Sequence, residues 1–170
     1  MKFTLNPNAL PATERDAKVA EGGFGKYYTD HMVTIDWDEK NGWAEPELKP
    51  YGPLTLDPAT AVFHYGQEIF EGMKAYRQPD GSVALFRPEA NAQRFNRSAK
   101  RLALPELPIE TFIETVEALV KQDIGWVPNK VGESLYIRPF MIATEVGLGV
   151  RPTNKAKYIL IATPAGAYFD

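Results

Sequence analysis

A chain of 170 residues is long enough to bury a substantial apolar core within one domain. With 44% hydrophobic and 24% charged residues the composition is that of a folded protein, and 19 basic against 22 acidic side chains leave a formal charge of -3, no electrostatic footprint for nucleic acid. Two histidines and no cysteine exclude thiolate zinc sites, iron–sulfur clusters, disulfides and thiol catalysis within the sequence, but leave cofactors held by phosphate or carbonyl chemistry open.

Residues 1–30 read as an arm rich in Ala, Gly and Pro, with one turn signal at Gly22-Gly23. No run approaches the ~20 apolar residues of a membrane span, and the amino terminus has no continuous apolar stretch of the secretory kind. Neither a membrane nor a nucleic-acid partner is expected, and the cytoplasm is the default location. In residues 29–37 the apolar positions His31, Val33, Ile35 and Trp37 alternate, which predicts a strand. Asn41-Gly42 then supplies the residue pair of a tight hairpin. The prolines at 46, 50, 53 and 58 make the rest of residues 38–60 a loop, and residues 61–65 begin another short strand.

Two strands are predicted over residues 73–77 and 82–86, joined by Gln78-Pro79-Asp80-Gly81. Pro88 and Glu89 open a helix whose Ala92, Phe95, Ala99 and Leu102 face the core, while Asn91, Arg94, Ser98 and Arg101 form a neighbouring stripe. A second helix follows Pro108, with Phe112, Ile113, Val116, Leu119 and Val120 as its apolar face. Residues 134–142 read as a strand interrupted by Pro139, which requires an edge, a bulge or a strand end. Residues 157–163 form a further apolar strand. Two main helices among about six or seven short strands predict an α+β fold built on an antiparallel or mixed sheet. The turn-rich ending, Pro164-Ala165-Gly166-Ala167-Tyr168-Phe169-Asp170, reads as a connector to a further domain.

The densest chemistry lies in residues 63–74, which hold His64, Tyr65, Glu68, Glu71 and Lys74. Glu68 and Glu71 have two readings: an acid/base pair flanking a cleft, or a helical-turn pair facing solvent. Tyr65 and Phe70 are either pocket wall or ordinary core. Arg94, Arg97, Lys100 and Arg101 are the compact basic group, suited to a phosphate or carboxylate or else to a solvated face pairing with Glu89 and Glu106. Arg138 follows three apolar or aromatic strand residues, where an unpaired charge is costly, so it must reach a carboxylate, a ligand or the surface. No dinucleotide fingerprint, P-loop, nucleophile elbow or zinc-protease motif is present, and His31 and His64 are isolated, so nothing supports a histidine-based zinc site and no metal ligand is assigned.

Three blocks together closely resemble the branched-chain amino acid aminotransferases, fold-type IV enzymes that use pyridoxal 5'-phosphate (PLP). They are His64-Tyr65-Gly66-Gln67-Glu68-Ile69-Phe70-Glu71-Gly72-Met73-Lys74-Ala75, then Arg94 with Arg97-Ser98-Ala99, then Leu135-Tyr136-Ile137-Arg138-Pro139. Thr29-Asp30-His31-Met32 and residues 164–169 extend the likeness at either end, in the family's order. The resemblance implies the smaller amino-terminal domain of such an enzyme: an arm over residues 1–30, a small α+β domain over 31–163, and the start of the interdomain loop over 164–170. The larger domain, with the lysine that carries PLP as a Schiff base, is then expected downstream. No catalytic residue is assigned within these 170 residues, and the segment alone is expected to be inactive.

Carried over residue by residue, Arg94 resembles the arginine that binds the PLP phosphate. Phe24, Phe70 and Tyr136 resemble aromatic walls of the substrate side-chain pocket. Tyr65, Leu148 and Val150 resemble residues that reach the partner subunit's site, which implies a homodimer. Arg138 resembles the arginine that handles the side-chain carboxylate of glutamate, with Tyr65 or Tyr136 as a relay. Tyr168 and Phe169 resemble the loop that closes over substrate. The implied reaction transfers the amino group of leucine, isoleucine or valine to 2-oxoglutarate, giving the branched-chain 2-keto acid and glutamate. A different fold-type IV specificity, a non-catalytic binding or assembly domain, and a hydrolase using Glu68 and Glu71 are the competing readings.

Overall fold

The computed structural model describes residues 1–166; Tyr168 and Phe169 lie outside the described residues. Its centre is a pair of long antiparallel strands, β8 (Ser134–Ala143) and β9 (Lys155–Ala165), matched residue for residue from Ser134 opposite Ala165 to Ala143 opposite Ala156. β2 (His31–Asp38) joins the other side of β9, followed by β4 (Glu47–Pro50) and β1 (Lys2–Phe3), while β3 (Gly42–Trp43) closes the predicted Asn41-Gly42 hairpin on β2. On the far side of β8 lie β5 (Glu68–Phe70), β6 (Met73–Arg77) and β7 (Val83–Leu85). The β1–β4 pair is parallel and the other strand pairs are antiparallel, so the sheet is mixed, in an α+β fold.

Helices α3 (Pro88–Arg101) and α4 (Ile109–Gln122) pack on one face of this sheet, as their apolar periodicity requires. Phe95, Phe112, Val116 and Leu119 meet Val33, Ile35, Leu135, Ile137, Tyr158 and Leu160 in the main core. The opposite face carries a smaller apolar cluster around Met32, Ile142 and Ile159, with Phe140 and Ile161 beside it. Alternation along a strand therefore divides β8: residues 135, 137 and 141 face the helices, and 136, 138 and 140 face away.

Several local expectations are corrected. The amino-terminal segment contains α1 (Ala12–Glu21) as well as β1, and none of α1's residues is buried. Without an apolar stripe there was no periodic signal to find. Residues 61–65 form a short helix, α2 (Ala61–Tyr65), not a strand, stopped by Gly66 in the left-handed conformation. A strand, β4, runs inside the proline-rich segment read as loop; Pro50 is its last residue and leaves the interior of the pairing intact. Leu102 lies just past the end of α3 and is exposed rather than core-facing.

Pro139 sits in the middle of an interior strand, not at an edge. Its carbonyl accepts the Glu71 N–H at 2.8 Å, but it has no N–H to return. The facing strand breaks there: β5 ends at Phe70, opposite Phe140, and β6 resumes at Met73, opposite Ile137, without a slip in register. Glu71 and Gly72 occupy the break.

The amino-terminal segment is tied down by a buried polar relay. The backbone N–H of Asn6 donates to His31 Nε2 at 2.9 Å, so Nδ1 carries the proton and donates to Asp123 Oδ1 at 2.6 Å. Asp123 Oδ2 also accepts the His31 backbone N–H at 2.9 Å. Beside it Asp30 accepts from the Leu10 N–H and, at 2.7 Å, from the Trp126 indole in a short 3-10 turn, Ile124–Trp126.

Candidate functional site

On the sheet face turned away from α3 and α4, the guanidinium of Arg138 lies 4.4 Å from the centre of the Phe70 ring. It donates to the Tyr136 hydroxyl through Nε at 3.2 Å and Nη2 at 2.7 Å. Phe24 meets Tyr136 edge-to-face with ring centres 5.0 Å apart. The charge in an apolar strand is thus explained by period two: Arg138 never enters the main core and is held between an aromatic face and a phenol. Gly72 makes room for this arrangement, since a Cβ there would collide with the Tyr136 hydroxyl. Phe24, Tyr28, Tyr136, Arg138 and Thr163 line a hollow of about 110 Å³. That is too small for a whole ligand, for which about 300 Å³ is a usual minimum, and of a size for one end of a ligand.

Arg94 projects from α3 near the free side of β5. Its Nε and Nη2 donate to the two oxygens of Glu71 at 2.5 and 2.7 Å, and Asn91 Nδ2 donates to the same carboxylate at 3.1 Å. Glu71 is 4% exposed at its side chain and Arg94 59%. Burial, the strongest single influence on Glu71, pushes its pKa up, but the bonds from Arg94 and Asn91, the Arg94 charge and the Gly72 N–H together hold it below its ordinary value. Arg94 with Arg97, Ser98, Arg101 and Phe70 borders a cleft of about 470 Å³. Phe70 therefore links the two regions: its ring lies under Arg138, and the residue also borders the arginine cleft.

This arrangement changes how the glutamates are understood. They lie on and just beyond a strand, not on a helical turn. Glu68 is exposed and Glu71 is buried in an ion pair on the helix side, so the two do not face one cleft as an acid/base pair. The partner of Arg94 is Glu71, neither Glu89 nor Glu106. The sequence did carry a signal that was missed: Ile69, Glu71 and Met73 share one strand parity with buried neighbours, so the carboxylate between them had to find a cation. The roles of Gly72 and Asn91 had no comparable signal.

Tyr65, at the end of α2, donates its hydroxyl to the Leu148 carbonyl; among the described residues Tyr136 is the hydroxyl on the Arg138 guanidinium. The loop bearing Leu148 is held to α2 by the Ala61 N–H on the Glu145 carbonyl and the Gly147 N–H on the Ala59 carbonyl. Leu148 and Val150 are exposed. Phe24, Phe70, Tyr136 and Arg138 thus form one group, Tyr65 and Leu148 a second, and Arg94 a third around the edge of β5. Among the described residues, no three His, Asp or Glu side chains gather in a metal-binding arrangement, and no helix is long and apolar enough to cross a membrane.

PLP would need an anion site, and the residues around Arg94 fit one. Arg94, Arg97, Arg101 and Ser98 border the same cleft and outnumber its one acidic residue, Glu68, and Arg94 keeps three N–H donors after serving Glu71.

No protein-family model matches the chain. It is 64% identical over 168 residues, 97% of its own length, to a probable branched-chain-amino-acid aminotransferase of Streptomyces coelicolor, and it covers 46% of that protein. The chain spans about half the length of the curated relatives it matches. Its fold matches the solved branched-chain amino acid aminotransferase of Escherichia coli with a TM-score of 0.62 and 25% identity, over 80% of this chain and 41% of that one. A second solved branched-chain amino acid aminotransferase, complexed with N-(5'-phosphopyridoxyl)-L-glutamate, matches with a TM-score of 0.59 and 28% identity, over 79% and 41% of the two chains.

Proposed function

The chain is related over nearly its whole length to the branched-chain-amino-acid aminotransferases, and from that premise we propose that it contributes part of the active site of such an enzyme. The full-length protein transfers the amino group of leucine, isoleucine or valine to 2-oxoglutarate, with PLP as cofactor, as a cytoplasmic homodimer. The observation that carries this reading is the Arg138 guanidinium held between Phe70 and Tyr136, a wall that is apolar and cationic at once.

An aminotransferase of this kind must accept two unlike side chains in one place. The faces of Phe24, Phe70 and Tyr136 offer buried area to an aliphatic side chain, at about 25 cal/mol per Å². Such a wall separates substrates differing by one methylene by only about 1–3 kcal/mol, so leucine, isoleucine and valine are all accepted. Arg138 keeps N–H groups beyond those given to Tyr136 and pairs with the distal carboxylate when glutamate or 2-oxoglutarate occupies the same wall. The solved relative that holds a phosphopyridoxyl-glutamate supports a site of this dual character.

When bound, PLP supplies the electron sink for amino-group transfer, and the protein supplies binding and orientation. Arg94 holds its phosphate from α3. In this reading the amine that carries the cofactor is a lysine outside residues 1–170. Tyr65, Leu148 and Val150 serve the site of a second subunit.

Incubating the full-length protein with leucine, 2-oxoglutarate and PLP should yield glutamate and the branched-chain 2-keto acid in equal amounts. Absence of the keto acid overturns the assignment, and preference for another amino acid moves it to another fold-type IV specificity. Borohydride reduction with peptide mapping should place the PLP adduct on a lysine outside residues 1–170.

A further inference from the structure

We infer that Glu71 is the positioning residue for Arg94: a buried carboxylate that presets the guanidinium so that its outward edge receives a phosphate. The inference rests on reading Arg94 as the phosphate ligand and adds a residue for which that reading has no role.

A guanidinium has two edges able to bind an anion with a pair of parallel hydrogen bonds. Glu71 takes the side edge, Nε with Nη2. The end edge, Nη1 with the remaining N–H of Nη2, is left for a second anion, and Arg94 borders the arginine cleft. An ordinary surface pair looks different: Lys121 and Glu117 are 79% and 52% exposed, so neither fixes the other. In the Glu71–Arg94 pair only the carboxylate is withdrawn from water.

The carboxylate is itself fixed by the fold. Pro139 interrupts the pairing of β5 and β6 and leaves Glu71 in the gap, its N–H still bonded to the Pro139 carbonyl. Strand parity turns the side chain toward α3, where Asn91 holds one oxygen from one turn before Arg94. A long side chain with many rotamers is thereby set in one orientation before any ligand arrives, and the ordering cost is met by folding.

The opposing possibility is neutralisation. A carboxylate beside Arg94 also weakens its pull on an anion, and if that effect dominates, removing the charge tightens phosphate binding. The sign of the change therefore decides between the two.

The test uses the full-length protein freed of PLP and titrated with PLP by absorbance, alongside the phosphorus NMR shift of the bound cofactor and kcat at saturating PLP. Glu71→Gln should weaken PLP about tenfold, the scale on which partners that orient a ligating group act, and should move the phosphorus resonance, with any fall in kcat at saturating PLP smaller than the fall in affinity. Glu71→Asp, which keeps the charge but shortens the reach, guards against a Gln variant that fails to fold and should weaken PLP by a smaller factor. Unchanged or tighter binding in a folded Glu71 variant, with Arg94→Lys still weakened, overturns the inference and leaves the phosphate reading intact. Unchanged binding in Arg94→Lys overturns both.

Discussion

Two carboxylates in this molecule are withdrawn from water to the same extent and respond in opposite directions. Glu71 and Asp123 are each 4% exposed. Burial is the strongest influence on both and pushes both pKa values up. For Asp123 it prevails over the opposing bonds from His31 and Thr29, and the pKa is raised. For Glu71 the opposing bonds and the Arg94 charge win, and the pKa is lowered. The difference lies in the partner. Arginine brings a permanent charge and two parallel donors, whereas His31 offers Asp123 one ring donor and its backbone N–H. Burial sets the penalty, and the partner decides which way the pKa moves.

The largest test of this contrast is Asp123→Ala. It strands the His31 Nδ1–H and the His31 backbone N–H without acceptors and loosens the segment that begins at Asn6. Denaturant unfolding should show a loss of about 3 kcal/mol, the scale of an orphaned buried polar pair. Arg94→Ala should cost less, about 1–2 kcal/mol, because Asn91 and the Gly72 N–H remain on Glu71 and the site opens toward solvent. The same variant should raise the Glu71 pKa, read from the carboxyl carbon shift in an NMR titration; an unmoved pKa would show that the arginine is not what keeps Glu71 ionised.

The smallest effect is in the pH dependence, and there the two sites separate by sign. A lowered folded-state pKa makes Glu71 stabilising above its ordinary value of 4.5, and that stability is lost as pH falls through the folded value. A raised one gives Asp123 a contribution present below its ordinary 3.8 and lost as pH rises through the folded value. Stability measured relative to Glu71→Gln should therefore rise with pH across the acid range, while stability relative to Asp123→Asn should fall. Parallel slopes would contradict the contrast.

Much of this was legible along the chain. The alternation in β2, the turn between β6 and β7, and the apolar stripes of α3 and α4 are local patterns whose period fixes the element. α1 and β4 were not legible, one lacking an apolar stripe and the other lying among prolines. Pro139 announced an interruption, but an edge was the wrong place for it, because the missing N–H is accommodated by a break in the neighbouring strand.

The sequence by itself determined the fold class, the two main helices and the likeness to the branched-chain aminotransferases. These are properties of composition, period and motif, which survive in one dimension. Tertiary structure decided the pairings. Glu71 meets Arg94 across 23 positions and His31 meets Asp123 across 92, separations at which no periodic pattern links two residues. Which buried carboxylate meets a guanidinium, and which an imidazole, follows from how the helices close over the sheet.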